Sequence, residues 1–421
     1  MRRVLLFWWH GEYHSVALFL NHPADGEMMS SVRSAGVISV LCVGYFWFLA
    51  GIAWSPDNKL YQQGLVVLFW IPALVGAVLL RKRLFAVWQA NRIFLDLLLA
   101  FLIWAAFSAI WTGAESPFKE VKRVLYVSLF LLGFLLLALE RQALLWNGLC
   151  FAFVSLALSC PLSFYLFYVH DTNPLSTRLL GVGEAGHPIL GAYVMALAAI
   201  WGLQFFPRTI GRRLLWGLLM VALLLFVVLG QSRGAMLALG CAALTMPLWS
   251  RGRFVWLVSI STCAIAIVGC AMFLPLILER GLSYRPDIFV ASVEMIMQHP
   301  WLGQGIGADY RVVTPNYPDG FDHSHNAFTH SAILLGLPGL LLWSGLWLIA
   351  FRLAWTERES HDGRLVLSTL LVSFVASQFD AASLWGSPRA EWFVTWLPIG
   401  LSLALAVRRS SPKPLPAPSD A

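Results

Sequence analysis

The chain alternates long apolar runs with short polar breaks. A membrane helix needs roughly 20 mainly apolar residues. Twelve stretches meet or approach that length: 34–54, 64–80, 93–112, 124–139, 143–169, 189–206, 214–229, 234–249, 254–276, 326–351, 365–382 and 391–407. The breaks between them are short, apart from 277–325. The pattern predicts an all-α polytopic membrane protein with about 12 transmembrane helices and one long external loop. Residues 34–407 read as a single transmembrane domain, after a cytoplasmic segment 1–33 and before a cytoplasmic tail 408–421. Met28 or Met29, just ahead of the first span, offers an alternative translation start.

Composition sharpens this. Residues are 59% hydrophobic and only 12% charged, against about 25% charged in a soluble domain. Six cysteines lie singly in apolar stretches with no C-x-x-C, so neither a disulfide scaffold nor a cysteine zinc site is indicated. A net charge of +7 would suit nucleic acid, but the charges sit between helices and read as a topology signal. With the N-terminus inside, nineteen of the 29 lysines and arginines fall on inner segments. Both termini are then cytoplasmic, and 277–325 faces the periplasm of a Gram-negative cell.

The outer cations break that trend and need partners or a task. Arg178 lies in a Gly-rich stretch, RLLGVGEAGHP, that also carries His187. Arg233 lies in a four-residue turn, Gln231–Gly234, between apolar runs of about 16 residues, each spanning only about 24 Å. A recessed arginine there faces water or an anion; the plainer reading is a snorkelling side chain. Pro286 and Asp287 suit the first turn of a helix. Ile288 or Phe289, Ser292 or Val293, and Ile296 with Met297 give an apolar stripe along it. It ends before His299-Pro300 and, at about 14 residues, lies along the membrane surface rather than across it. Gly303, Gly305 and Gly307 follow without a preceding strand, which excludes a nucleotide loop. Pro315–Asp322 has the composition of a mobile or substrate-covering loop. Gly336, Gly339 and Gly345 offer small faces for helix contact. Asp380 near the outer end of its span is either a site residue or an arginine's partner.

The polar stretch His323–His330 runs straight into an apolar helix, which is costly unless it faces water or does chemistry. His325-Asn326, nine residues, Gly336, two residues and Gly339 together resemble the H-[N/S/Q]-x9-G-x-x-[G/T/Y] signature of the O-antigen ligase family. Ser232-Arg233-Gly234 resembles that family's SRG segment, and Pro300–Gly307 its P-x-x-G-x-G-x-G segment. The resemblance covers roughly residues 178–345. It implies a bacterial inner-membrane glycosyltransferase, working at the periplasmic face. Its donor is a glycan on undecaprenyl diphosphate and its acceptor the lipid A–core. No nucleic acid, cofactor or metal is implied. His325 is the implied base, and Arg233 and Arg285 are the implied diphosphate binders. Arg178, His187, Asn326, Asp380 and Arg311 are further candidates. Fixed arginines suit a leaving diphosphate because they pair with phosphate oxygens and stay charged. A neutral histidine suits a hydroxyl that must lose a proton.

Three other readings compete. An O-antigen polymerase or a protein O-oligosaccharyltransferase would share the donor and differ in acceptor; the histidine motif favours the ligase. A lipid-linked glycan transporter would show internal repeats and polar residues at the midplane, and neither is evident. Asp319, Asp322, His323 and His325 form a possible metal ligand set.

Overall fold

The computed structural model describes residues 25–280, 284–380 and 384–410. Most of the two terminal segments expected at 1–33 and 408–421 lies outside them. Among the described residues, twelve rods pass back and forth through one bundle. They are α1 (Asp25–Trp54); α2 (Asn58–Leu65) continued by a π turn into α3 (Ile71–Leu79); α5 (Arg92–Phe107); α6 (Pro117–Glu140); α7 (Gln142–Phe164); α8 (Pro188–Gln204); α9 (Ile210–Leu229); α10 (Arg233–Trp249); α11 (Arg253–Arg280); α13 (Ala327–Thr356); α14 (His361–Ser377); and α15 (Glu391–Ser410). They fall on the twelve predicted stretches. Two further helices lie at the ends of the bundle: α4 (Arg81–Ala90) and α12 (Arg285–Gln298). The basic stretch that forms α4 has only Val87 buried, so it carried no apolar stripe to announce a helix.

Eight of the rods are long and apolar enough to cross a membrane by length and composition. Of the others, α8, α10 and α14 are only 17 residues long, and α8 and α15 are enclosed. Every residue from Leu190 to Gly202 on α8 and from Trp392 to Val407 on α15 is buried. A helix enclosed by other helices can carry polar groups that lipid would penalise. The indole of Trp201 on α8 donates to Thr369 Oγ1 on α14 at 2.8 Å. By contrast, only 6% of the apolar window of α11 is buried.

Contacts between rod ends define two faces. Arg408 pairs with Asp362, Arg251 with Glu359 and Arg83 with Glu140 at one face. At the other, Trp111 Nε1 donates to the Leu302 carbonyl and Thr112 Oγ1 to that of Ile306. The long loop belongs to the second face.

That loop builds three pieces. The first is α12, with the bounds the sequence suggested. Ile288, Ser292 and Ile296 are buried, while Phe289, Val293 and Met297 are exposed, which decides the register of the stripe. The second is a glycine loop, Pro300–Gly307, docked into a break in α13. Gly336 holds φ 68° and ψ −173° inside α13. The interruption frees carbonyls, and each finds a donor: Gln304 N–H to Ile333, Gly305 N–H to Leu334, and Trp104 Nε1 to Leu335, all at 2.8 Å. Leu337 N–H in turn donates to the Pro300 carbonyl at 2.7 Å. A Cβ on Gly336 would lie 2.4 Å from the Trp301 carbonyl oxygen, and one on Gly303 2.5 Å from the Leu334 carbonyl. Only glycine fits here. Thus Gly336 serves a backbone break, not the helix–helix contact expected of it. Gly345 does meet a neighbouring helix, at Leu97.

The third piece corrects an expectation. Most of Pro315–Asp322 is not irregular loop but part of an antiparallel hairpin, β1 (Val312–Thr314) with β2 (Tyr317–Phe321). Pro315-Asn316 supplies the turn. Valine, tyrosine and phenylalanine fit a pleated surface, and Tyr284, Tyr317 and Phe321 form a ring cluster with centroids 4.7–6.0 Å apart. Asn316 Nδ2 donates to Asp287 Oδ2 at 2.6 Å, tying the hairpin to α12.

Candidate active site

Asp380 is the hub. It lies just past α14, where Phe379 and Asp380 N–H groups bond back to the Ala376 carbonyl at 3.0 and 3.2 Å. Its side chain is 8% exposed, so its charge needs partners. Arg285, first residue of α12, supplies one: Nη2 lies 3.1 and 3.0 Å from the two carboxylate oxygens. Arg285 also donates to the Phe379 carbonyl and lies over the Phe379 ring.

His325 supplies the second partner, with Nδ1 3.2 Å from Asp380 Oδ1. It holds φ 51°, a left-handed conformation that costs a non-glycine residue about 1 kcal/mol or more. The next residue explains how it is held. Asn326 caps α13, its Oδ1 accepting from Phe328 and Thr329 N–H at 2.8 and 3.2 Å. Its Nδ2 donates to Gln378 Oε1 at 3.0 Å. Two links therefore join the start of α13 to the end of α14.

His323 and His325 both precede α13, so helical spacing does not separate them. Their rings lie 3.9 Å apart. His323 Nδ1 meets Asp322 Oδ1 at 2.6 Å. Burial lowers the His323 pKa, and the neighbouring His325 lowers it further. His330 does point elsewhere, its Nδ1 2.6 Å from the Tyr310 hydroxyl. That hydroxyl also accepts from Ser324 N–H at 3.3 Å, and burial pushes the Tyr310 pKa up to about 12. As to the metal reading, no group of three His, Cys, Asp or Glu gathers as a metal site among the described residues; His323 and His325 face separate carboxylates.

Arg233 begins α10, where Ser232 Oγ accepts from Ala235 N–H at 3.3 Å. A Cβ on Gly234 would lie 2.1 Å from the Tyr193 hydroxyl and 3.6 Å from Phe379 Cβ. The arginine-bearing turn therefore abuts the shelf that holds Asp380. The Arg178 loop rests on the same turn: Leu179 N–H donates to the Leu229 carbonyl at 3.0 Å, and Gln231 Nε2 to that of Ser176 at 2.9 Å. Arg178 itself is exposed and lines a cavity of about 650 Å³ with Asp171, Asn173 and Thr177. His187 caps α8 through Nδ1; burial lowers its pKa and Asp380 partly raises it. Arg311 donates to the Asp319 carbonyl at 3.1 Å and braces the hairpin.

Sequence reasoning missed Gln378 and Tyr310. Gln378 stands two residues before Asp380, in SQFD. Tyr310 had no signal of its own, since its partners lie fourteen and twenty residues away. The arrangement offers a histidine whose Nδ1 faces a carboxylate, leaving Nε2 for a substrate proton, beside a cationic rim.

A family model described as O-antigen ligase matches residues 218–344. That range holds Arg233, Arg285, the glycine loop, His325 and the α13 break; Asp380 lies beyond it. The O-antigen ligase of Pseudomonas aeruginosa is 28% identical over 375 residues, covering 88% of this chain and 91% of that protein.

Proposed function

From its similarity to O-antigen ligases, we propose that the chain transfers a glycan from undecaprenyl diphosphate to a sugar hydroxyl of lipid A–core. It is a multi-pass membrane protein. In this reading it sits in the bacterial inner membrane with its site toward the periplasm. The basic residues gathered at the opposite face support that orientation.

The observation that carries the mechanism is the His325–Asp380–Arg285 chain of contacts. A proton on His325 Nδ1 points at Asp380, which leaves the Nε2 lone pair for the acceptor hydroxyl. The acceptor oxygen attacks the anomeric carbon as its proton passes to Nε2. The bond from that carbon to the diphosphate oxygen breaks, and the diphosphate leaves with the electron pair. Direct displacement inverts the anomeric centre. Asp380 then stabilises the imidazolium, while Arg233 compensates charge growing on the diphosphate. Arg285 is divided between Asp380 and the substrate, so it both positions the base's partner and lends charge to the rim.

Reconstitution tests this. Purified enzyme, undecaprenyl diphosphate-linked glycan and rough lipopolysaccharide should yield capped lipopolysaccharide, undiminished by excess chelator. Loss of activity restored by one divalent ion would overturn the charge-compensation role of the arginines. Transfer to a pilin or to a second lipid-linked glycan instead would move the chain to the alternative acceptors.

A further inference from the structure

A second polar cavity lies beside the proposed site and has no part in the mechanism above. It measures about 320 Å³, at the lower end of small-ligand pockets. Four pieces of the same face enclose it: the start of α6, the glycine loop at Gly307, the start of α13, and the 384–391 stretch before α15. Glu120, Arg123, His330, Trp385, Arg389 and Glu391 supply its chemistry.

The charges are nearly self-cancelling. Arg123 Nη1 lies 2.7 and 2.6 Å from the two Glu120 oxygens, and Arg389 lies 4.0 Å from Glu184. A phosphate entering here would meet Glu120 and Glu391, and the arginine nearest Glu120 is already paired with it. A sugar ring meets no such objection, since each hydroxyl both donates and accepts. Trp385 adds an indole that is 3% exposed, and its Nε1 has no hydrogen-bond partner among the described residues. Buried indole N–H groups usually find one.

Location indicates which sugar. Tyr310 bonds His330 on the cavity wall and Ser324, the residue before His325. Tyr310 therefore links the cavity wall to the residue next to the proposed base. The Arg285–Asp380 pair and the Arg233 turn contribute nothing to the cavity lining. We propose that this cavity is an acceptor subsite, holding a neutral pyranose ring of the core oligosaccharide next to the ring whose hydroxyl is glycosylated. This rests on the glycosyl-transfer reading.

Ser387, on the cavity wall, belongs to neither ion pair. In purified enzyme, Ser387→Trp should raise the KM for rough lipopolysaccharide at least tenfold and leave the donor KM and Tm unchanged. Glu391→Gln, a smaller change, should raise the acceptor KM alone by a few fold. Unchanged acceptor KM in both folded variants would overturn the assignment, as would a rise confined to the donor KM. Hydrogen exchange gives a readout independent of turnover. Core oligosaccharide, released from rough lipopolysaccharide by mild acid, should protect peptide 384–391 in wild type and not in Ser387→Trp. That protection in an enzyme without transfer activity would retain the subsite and remove the reaction; transfer without that protection would do the reverse.

Discussion

Two histidines near the start of α13 sit in similar company and differ in how that company is assembled. His325 has an Arg–carboxylate pair, Arg285 with Asp380; His330 has another, Arg123 with Glu120, on its cavity wall. Glu120 and Arg123 are three residues apart on one helix, so the pair forms as soon as α6 does. Arg285 and Asp380 are 95 residues apart and meet only when α12 and α14 are both seated. His325 touches its carboxylate directly and holds a strained backbone to do so; His330 reaches a tyrosine instead. A locally formed pair shapes a wall. The pair assembled from distant elements, beside a strained backbone, is the one proposed to hold geometry for a reaction.

The largest expected effect separates the two histidines. His325→Gln should lower transfer about a thousandfold, in the range of general acid–base contributions, with Tm nearly unchanged. His330→Gln should cost at most about tenfold on the same scale. Equal losses would erase the distinction. His323→Gln, whose ring centroid lies 3.9 Å from that of His325, should fall between them.

Next comes the cationic rim. Arg233→Ala should lose about a hundredfold or more, the cost of removing a charge-stabilising group. Arg233→Lys should recover part, because it keeps the charge without the planar fork. Near-wild-type rates for the alanine variant would leave the diphosphate assignment unsupported.

Gly336→Ala tests the shared scaffold. A left-handed backbone costs about 1–3 kcal/mol for a residue with a Cβ, before the Cβ meets the Trp301 carbonyl. Tm should fall by several degrees, and activity should fall with it rather than ahead of it. An unchanged Tm would mean the break in α13 closes without consequence.

The smallest effect is on pH. Burial lowers the folded-state pKa of His323 and His187 below the unfolded value. Between those two values the unfolded chain binds more protons, so stability rises with pH there. Tm should therefore fall as pH drops from about 7 to about 5, and the slope should be shallower in His323→Gln. An identical slope would show that His323 contributes nothing to it.

What could be read in advance follows the same local–distant division. The rods and the bounds of α12 were legible because periodicity, proline placement and caps are properties of neighbouring residues. The position of His325 at the mouth of a helix was legible from the polar stretch that runs straight into an apolar run. The partnership of Arg285 with Asp380 was not. Asp380 could be seen to need a partner, but seven outer arginines were available. The hairpin was missed because proline, glycine and aspartate in Pro315–Asp322 signal a turn as well as a loop, and its ring cluster draws on Tyr284, thirty-three residues before Tyr317. The role of Gly336 was missed for a related reason: what it accommodates is the backbone of a distant loop.

The break in α13 also bears on how the chain is made. A hydrocarbon environment punishes a bare carbonyl by several kcal/mol, and α13 would expose three without Gln304, Gly305 and Trp104. All three donors precede α13 in the chain, so they leave the ribosome first. A newly inserted α13 thus enters a bilayer where its missing hydrogen bonds are already waiting. The order of the genetic text, donor segment before broken helix, would be lost in a circular permutant opened between Gly307 and Ala327. Such a permutant would keep every contact on paper and present its broken helix to lipid before anything could cover the freed carbonyls.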